Sequence, residues 1–240
     1  MLLIATPNLK DDVVALIETA KALGFDIFVS PPGWRLPQHI LGQHGIVYGE
    51  ALFCEVIAQQ MGWQLLDNSL DWLTKLPEKY VSRKIYYTTM VNARKESKKR
   101  FFKPADMKSF EAKVYESGKD LSDSSVLDEI PVLVSEEMNF TSEYRCFIKN
   151  RKVVSASCYL YKKDINKPEH YFVNNDAVIS FVNNMLKDDL VGCVPGAVID
   201  VGRFKKDTYA VIESNPAYAS GLYGCELVAV LDVLKSCVVN

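Results

Sequence analysis

Apolar positions in the first seventy residues switch between short continuous runs and helical stripes. Leu2–Ala5 is a short apolar run closed by Thr6-Pro7-Asn8. Over Asp11–Leu23 the residues Val13, Val14, Leu16, Ile17, Ala20 and Leu23 fall on one broad stripe, the spacing of an amphipathic helix, and Gly24 is its natural stop. Asp26–Ser30 reads as the next strand and Pro31-Pro32-Gly33 as a turn. Gly45–Gly49 gives another strand, Ala51–Met61 a helix capped by Gly62, and Trp63–Leu66 a further strand. Strand and helix in alternation predict a small parallel sheet.

The pattern changes after Asp71–Leu76, with a boundary near Leu76-Pro77. A dense basic run, Arg94, Lys95, Lys98, Lys99 and Arg100, reads as a solvated helix face or loop. Phe101–Pro104 is a short strand carrying Lys103, and residues 117–125 (SGKDLSDSS) form the most loop-like segment. Pro131–Ser135 has the pattern of a buried strand. Tyr144–Ile148 and Lys152–Tyr161 flank Lys149-Asn150-Arg151 as a β-hairpin. Val178–Leu186 is helical, Ala197–Val201 and Thr208–Glu213 form a second strand pair, and Leu227–Cys237 is a closing amphipathic helix. The predicted class is a parallel α/β start followed by an α+β part with antiparallel strands.

Composition narrows the function classes. Of 240 residues, 48% are hydrophobic and 24% charged, which excludes a disordered tail, a collagen-like chain and a coiled coil. With 28 basic and 30 acidic side chains the net charge is -2, so bulk attraction to nucleic acid or to an anionic membrane is not expected. Six scattered cysteines without a C-x-x-C pair read as reduced, buried thiols. Three histidines without H-E-x-x-H argue against zinc, and no G-x-G-x-x-G follows the first strand. Met1–Ala5 is too short for a signal peptide, and no run nears the roughly eighteen apolar residues of a membrane span. A cytoplasmic globular protein is expected.

Candidate chemistry concentrates in the last strand pair. Asp200 closes the run AVID, and Glu213 closes TYAVIE thirteen residues later. Asn215 shares a strand face with Glu213 because side chains alternate with period two. Paired antiparallel, the strands set two carboxylates beside one amide oxygen. These are hard donors suited to magnesium, which keeps water and substrate phosphate as its other partners. The alternative is an acidic strand end facing water.

Other motifs surround that pair: LPEKYVSRKI at 76–85, FFKPADMKSF at 101–110, VLVSEEMNFTSEYRCFI at 132–148, VIDVG at 198–202 and VIESNPAYASGLYG at 211–224. In this order the chain resembles the ATP-grasp superfamily. It is most similar to the compact stand-alone ATP-grasp proteins of bacteria and phages that carry arginine and lysine signatures. The resemblance covers the whole chain and implies an ATP-grasp fold. Residues 1–76 would form a pre-ATP-grasp α/β lobe, 77–135 a small ATP-clamping lobe, and 136–240 a large lobe with the metal site.

The resemblance implies roles for individual residues. Lys103 would place an ammonium on the α- or β-phosphate of ATP. Glu136, Glu137 and Met138 match the adenine hinge, and Glu143 the carboxylate that holds the ribose hydroxyls. Asp200, Glu213 and Asn215 would hold Mg²⁺. Arg145 would reach phosphate or a substrate carboxylate with a bidentate fork, and Arg83 would contact phosphate or acyl phosphate. Lys162 or Lys163 would supply another phosphate lysine, and the 117–125 loop the flap over the triphosphate. Many peptide-forming relatives carry an oxyanion-steadying arginine where this chain has Val198, so Arg203, Arg145 or Arg83 would take over that task. The implied activity is an ATP- and Mg²⁺-dependent carboxylate–amine ligase using an acylphosphate. Its partners would be small-molecule or peptide carboxylates and amines, with no nucleic acid and no membrane. The rival readings are a nucleotide-binding regulatory protein without turnover and a small-molecule kinase.

Overall fold

The computed structural model describes residues 1–106, 109–121, 126–161, 164–165 (backbone only), 169, 171 and 174–239. β1 (Leu2–Ala5) is buried at every position because it is the middle strand of a three-stranded parallel sheet. Between β1 and β2 (Asp26–Val29), α1 (Asp11–Ala22) buries Val13, Leu16, Ile17 and Ala20. β3 (Gly45–Tyr48) pairs on the other side of β1. α2 (Ala51–Met61) stops at Gly62, whose left-handed φ of 71° lets the Trp63 amide donate to the Ala58 carbonyl at 2.9 Å. β4 (Gln64–Leu65) does not extend the parallel sheet as the pattern predicts; it pairs antiparallel with the end of the chain.

A 3-10 turn over Trp72–Lys75 and α3 (Glu78–Val81) lead into the small lobe. There β5 (Ile85–Thr89), α4 (Met90–Ala93), β6 (Arg100–Pro104), β7 (Lys113–Tyr115) and β8 (Pro131–Ser135) build a four-stranded antiparallel sheet ordered β5–β8–β6–β7. Met90, Ala93, Phe102, Leu121, Val126, Val132 and Val134 form its core. Arg94, at the head of the basic run, is a tie rather than a solvated charge: it binds the Asp128 carboxylate and the Leu121 and Val126 carbonyls.

The large lobe is a five-stranded sheet ordered β11–β10–β9–β12–β13. It comprises β9 (Ser142–Lys149), β10 (Lys152–Tyr161), β11 (Asp164–Ile165), β12 (Gly196–Lys205) and β13 (Thr208–Asn215), with α5 (Asp176–Leu186) inserted. The β9–β10 hairpin turns on Asn150 and Arg151, at φ 47° and 64°, the two left-handed residues of a primed turn. One face of the sheet packs Tyr144, Cys146, Ile148, Ile199, Val201 and Val211 against α5. The other sends Phe147 and Val198 into the core of the first lobe, together with α6 (Leu227–Leu234) and Val238. α6 ends before Cys237 because the chain must leave it to form β14 (Val238–Val239) beside β4. Among the described residues no helix is long and apolar enough to cross a membrane.

Gly202 in β12 lies under the Phe140 ring so closely that a Cβ would overlap it. Gly202→Ala must therefore push aside Phe140 and the segment entering β9, at a cost of about 1–3 kcal/mol. Calorimetry should show the Tm falling by roughly 2–4 °C per kcal/mol. An unchanged Tm would mean that Phe140 swings away freely.

Candidate active site

Strand bulges decide which side chains reach the cleft. In the β12–β13 ladder Asp200 pairs with Glu213, but Val201 pairs with Val211, leaving Ile212 as an extra residue. This shift reverses the facing of β13. Val211 enters the core beside α5, whereas Glu213 and Asn215 turn to the face that carries Asp200. A second shift in β9–β10 leaves Tyr159 extra between Cys158 and Leu160. Cys158 stays in the α5 core while the Tyr159 hydroxyl donates to the Glu143 carboxylate at 2.7 Å. β9 and β12 pair without any shift, so Arg145 lies opposite Asp200 and Glu143 opposite Gly202.

Arg145 and Asp200 are 6% and 1% exposed. Nε donates to Oδ1 at 3.0 Å and Nη2 to Oδ2 at 2.7 Å, a two-pronged ion pair. Nη1 donates to the Gly221 carbonyl at 2.9 Å, tying the 216–224 loop to the sheet. Tyr223, at a left-handed φ of 48°, lays its ring 4.4 Å from the guanidinium carbon and 4.9 Å from the Tyr159 ring. Burial by itself would lower the Arg145 pKa, but the Asp200 charge outweighs it and holds the guanidinium firmly protonated. Burial raises the Glu143 carboxyl above its ordinary range, against the lowering effect of the Tyr159 hydroxyl.

Asn215 Nδ2 bridges the two carboxylates, donating to Asp200 Oδ2 at 3.2 Å and Glu213 Oε1 at 2.8 Å. Lys103, on β6 of the small lobe, forms an ion pair with Glu213 Oε2 across the cleft. The donor chemistry fits magnesium: two carboxylates and an amide whose oxygen becomes available when the side chain turns over. Among the described residues no group of three or more His, Cys, Asp or Glu side chains is placed to hold a metal ion, so the softer-metal alternatives lack a donor set.

The remaining expected residues divide. Arg83 is buried and donates to the Val81 and Val211 carbonyls at 2.8 and 2.9 Å, and to Ile212 at 3.4 Å. It thus covers the outer edge of β13 at the bulge, and burial lowers its pKa to about 10. With these donors engaged, Arg83 is a backbone clamp in this conformation, not a group presented to phosphate. Arg203 alternates onto the α5 face, where its charge acts on Tyr144 and Tyr209. That placement corrects its candidacy as the replacement oxyanion arginine. Glu136 extends the β5–β8 pairing by exchanging bonds with Lys84, Glu137 pairs with Lys99 at 3.3 Å, and Met138 Sδ lies 3.8 Å from Arg83. Lys162, Lys163 and positions 122–125 of the expected flap lie outside the described residues. Tyr159 and the Arg145–Gly221 tie escape a sequence reading, because each depends on a cross-strand neighbour that no local pattern announces.

Residues 80–233, well over half of the chain, match an ATP-grasp domain family, the second in the clade named for two arginines and a lysine. No curated protein matches the sequence. Among solved structures, the chain is similar to a RimK domain protein ATP-grasp from Sphaerobacter thermophilus DSM 20745, with 11% identity, 98% of this chain and 99% of that one covered, and a TM-score of 0.61. D-cycloserine synthetase DcsG aligns over 98% of this chain and 99% of its own, with 13% identity and a TM-score of 0.64. The ATP-grasp ligase PsnB, solved with precursor peptide PsnA2 and AMPPNP, aligns over 97% and 95% with 15% identity and a TM-score of 0.54. At such identities these likenesses speak for the fold, and it is the sequence match across both clamping lobes that makes this chain a member of family 2 of that arginine-and-lysine clade of ATP-grasp domains.

Proposed function

We propose that the protein is an ATP- and Mg²⁺-dependent ligase that joins a carboxylate to an amine. The observation that carries this reading is the meeting of Lys103 from one lobe with Asp200, Glu213 and Asn215 from the other in a single charged cluster. A nucleotide between the lobes would find an ammonium for phosphate on one side and hard oxygen donors for its cation on the other. DcsG and PsnB, by name a synthetase and a ligase, lend support.

In the proposed reaction the acid's carboxylate attacks the γ-phosphorus of ATP, giving an acylphosphate and ADP. The amine then attacks the acyl carbon, loses a proton and expels phosphate. Magnesium, when bound to Asp200, Glu213 and Asn215, supplies neutralisation of the charge on the β- and γ-phosphates. Lys103 binds phosphate, Glu136–Met138 line the adenine end, and Glu143 accepts from the ribose hydroxyls. Arg145 fixes the direction of Asp200 and aims the 216–224 loop at the acceptor side. Five N–H groups less the three bonds described leave two for a developing oxyanion.

A nucleotide-binding regulator without turnover is the second reading. The fully buried, apolar Val198 favours it, since this packing has no place for an arginine there. ADP release that requires both an acid and an amine, screened over amino acids and short peptides, supports the ligase. Mg-ATP binding with no such release supports the regulator.

Millimolar Mg-ATP should raise the Tm by mass action on the folded state; a flat thermal-shift series overturns the nucleotide reading. Glu213→Gln and Asn215→Ala should keep the fold and lower turnover by about 10²–10³, and near-normal turnover would make this strand end structural.

Arg145→Ala strands the buried Asp200 charge and should cost about 3–5 kcal/mol in chemical denaturation. The double variant with Asp200→Asn should recover part of that loss, whereas additive losses would deny that the pair acts as a unit.

Glu143 carries a pH signature. Its folded pKa lies above the unfolded value, so its ionised form weakens the fold at neutral pH, and the penalty disappears as pH falls towards the unfolded value of about 4.5. Glu143→Gln should therefore melt at or above the wild type at neutral pH, with the gap closing in acid. A lower neutral-pH Tm for this variant would assign Glu143 a stabilising role instead.

A further inference from the structure

The two carboxylates of the cluster hold their cations in different ways. Asp200 and Arg145 sit opposite each other on adjacent strands of one sheet, with side chains 1% and 8% exposed. They cannot part unless the ladder breaks. Glu213 and Lys103 belong to different sheets, with side chains 24% and 28% exposed. That pair joins a compact ammonium on a flexible stem to a half-open carboxylate, and it can exchange.

We propose that Lys103 is the resident cation of Glu213: it keeps free divalent ions off this carboxylate until nucleotide phosphate draws the ammonium away. The proposal rests on the reading of Asp200, Glu213 and Asn215 as metal donors. An ammonium and a divalent ion cannot share one carboxylate oxygen. Asn215 adds to the block, because it turns its NH₂ and not its oxygen toward both carboxylates. The nucleotide-free cluster is charge-balanced, with two carboxylates facing one guanidinium and one ammonium. A lone divalent ion must expel the ammonium into water and turn the amide. Polyphosphate offers the ammonium a new partner, so nucleotide and metal favour each other's binding, and the coupling is reciprocal.

The test is Mn²⁺ binding to the nucleotide-free protein, followed by the electron paramagnetic resonance signal of free Mn²⁺. Wild type, Lys103→Gln, and Lys103→Gln combined with Glu213→Gln are compared. Repulsion between an ammonium and a divalent ion a few ångströms apart predicts about tenfold tighter Mn²⁺ binding in Lys103→Gln. The gain should vanish in the double variant. Equal Mn²⁺ affinity in wild type and Lys103→Gln, or a gain that survives Glu213→Gln, overturns the proposal.

Should Lys103→Gln fail to fold, the unaltered protein gives a second measurement. ATP with EDTA should raise its Tm, and MgCl₂ alone should not; stabilisation by MgCl₂ alone overturns the exchange. Absence of any Mg-ATP response in wild type defeats the nucleotide reading itself. An unchanged Mn²⁺ affinity with that response intact defeats only the exchange.

Discussion

A guanidinium and a carboxylate buried side by side in the middle of a β-sheet constrain everything around them. Removing two charges from water costs several kcal/mol per ion before their attraction is counted. The Arg145–Asp200 pair offsets this with two parallel hydrogen bonds, a third to Gly221 and aromatic rings over the guanidinium. Each compensating contact fixes something. The paired bonds set the direction of Asp200, the carbonyl contact draws the 216–224 loop onto the sheet, and the rings hold Tyr159 and Tyr223 together. The polar cluster is thereby organised before any ligand arrives, as electrostatic preorganisation demands.

The pair also explains why the sheet needs irregular strands. Its two faces serve different partners: α5 on one, the first lobe with α6 on the other. A perfectly alternating β13 would place Val211 on the same face as Glu213, wasting an apolar side chain in the cleft or a carboxylate in the core. The extra Ile212 resolves the conflict. Its cost is an altered outer edge, where Arg83 covers the carbonyls of Val211 and Ile212. The same device at Tyr159 keeps Cys158 in the core while its neighbour reaches Glu143. The guanidinium at position 83 and the carboxylate at position 213 are thus linked through the backbone between them.

These details mark how far a sequence can be read. The hairpin at Asn150-Arg151, the helix stop at Gly62 and the strand at Pro131–Ser135 are legible because turn chemistry and apolar runs act locally. So is the shared face of Glu213 and Asn215, since no bulge lies between them. The pairing of β4 with β14 is not legible, because it joins opposite ends of the chain. Nor is the character of an arginine: Arg83, Arg145 and Arg203 look alike as letters. One clamps an edge strand, one neutralises a buried carboxylate and one lies on the opposite face, and only register and bulges assign those places.

Register also bears on the substitution that most separates this chain from the arginine-bearing pattern. Val198 pairs with Phe147 and is fully buried in the core shared with the first lobe. A guanidinium at this position would enter an apolar layer without a partner, a cost of several kcal/mol. One strand away, position 145 lies opposite Asp200 on the same face, where the carboxylate can neutralise the charge. The positive charge beside Asp200 is therefore supplied by β9, not β12. Moving it across the ladder leaves β12 free to seal the first lobe with valine, so the close packing between lobes and the cation at Asp200 coexist on neighbouring strands.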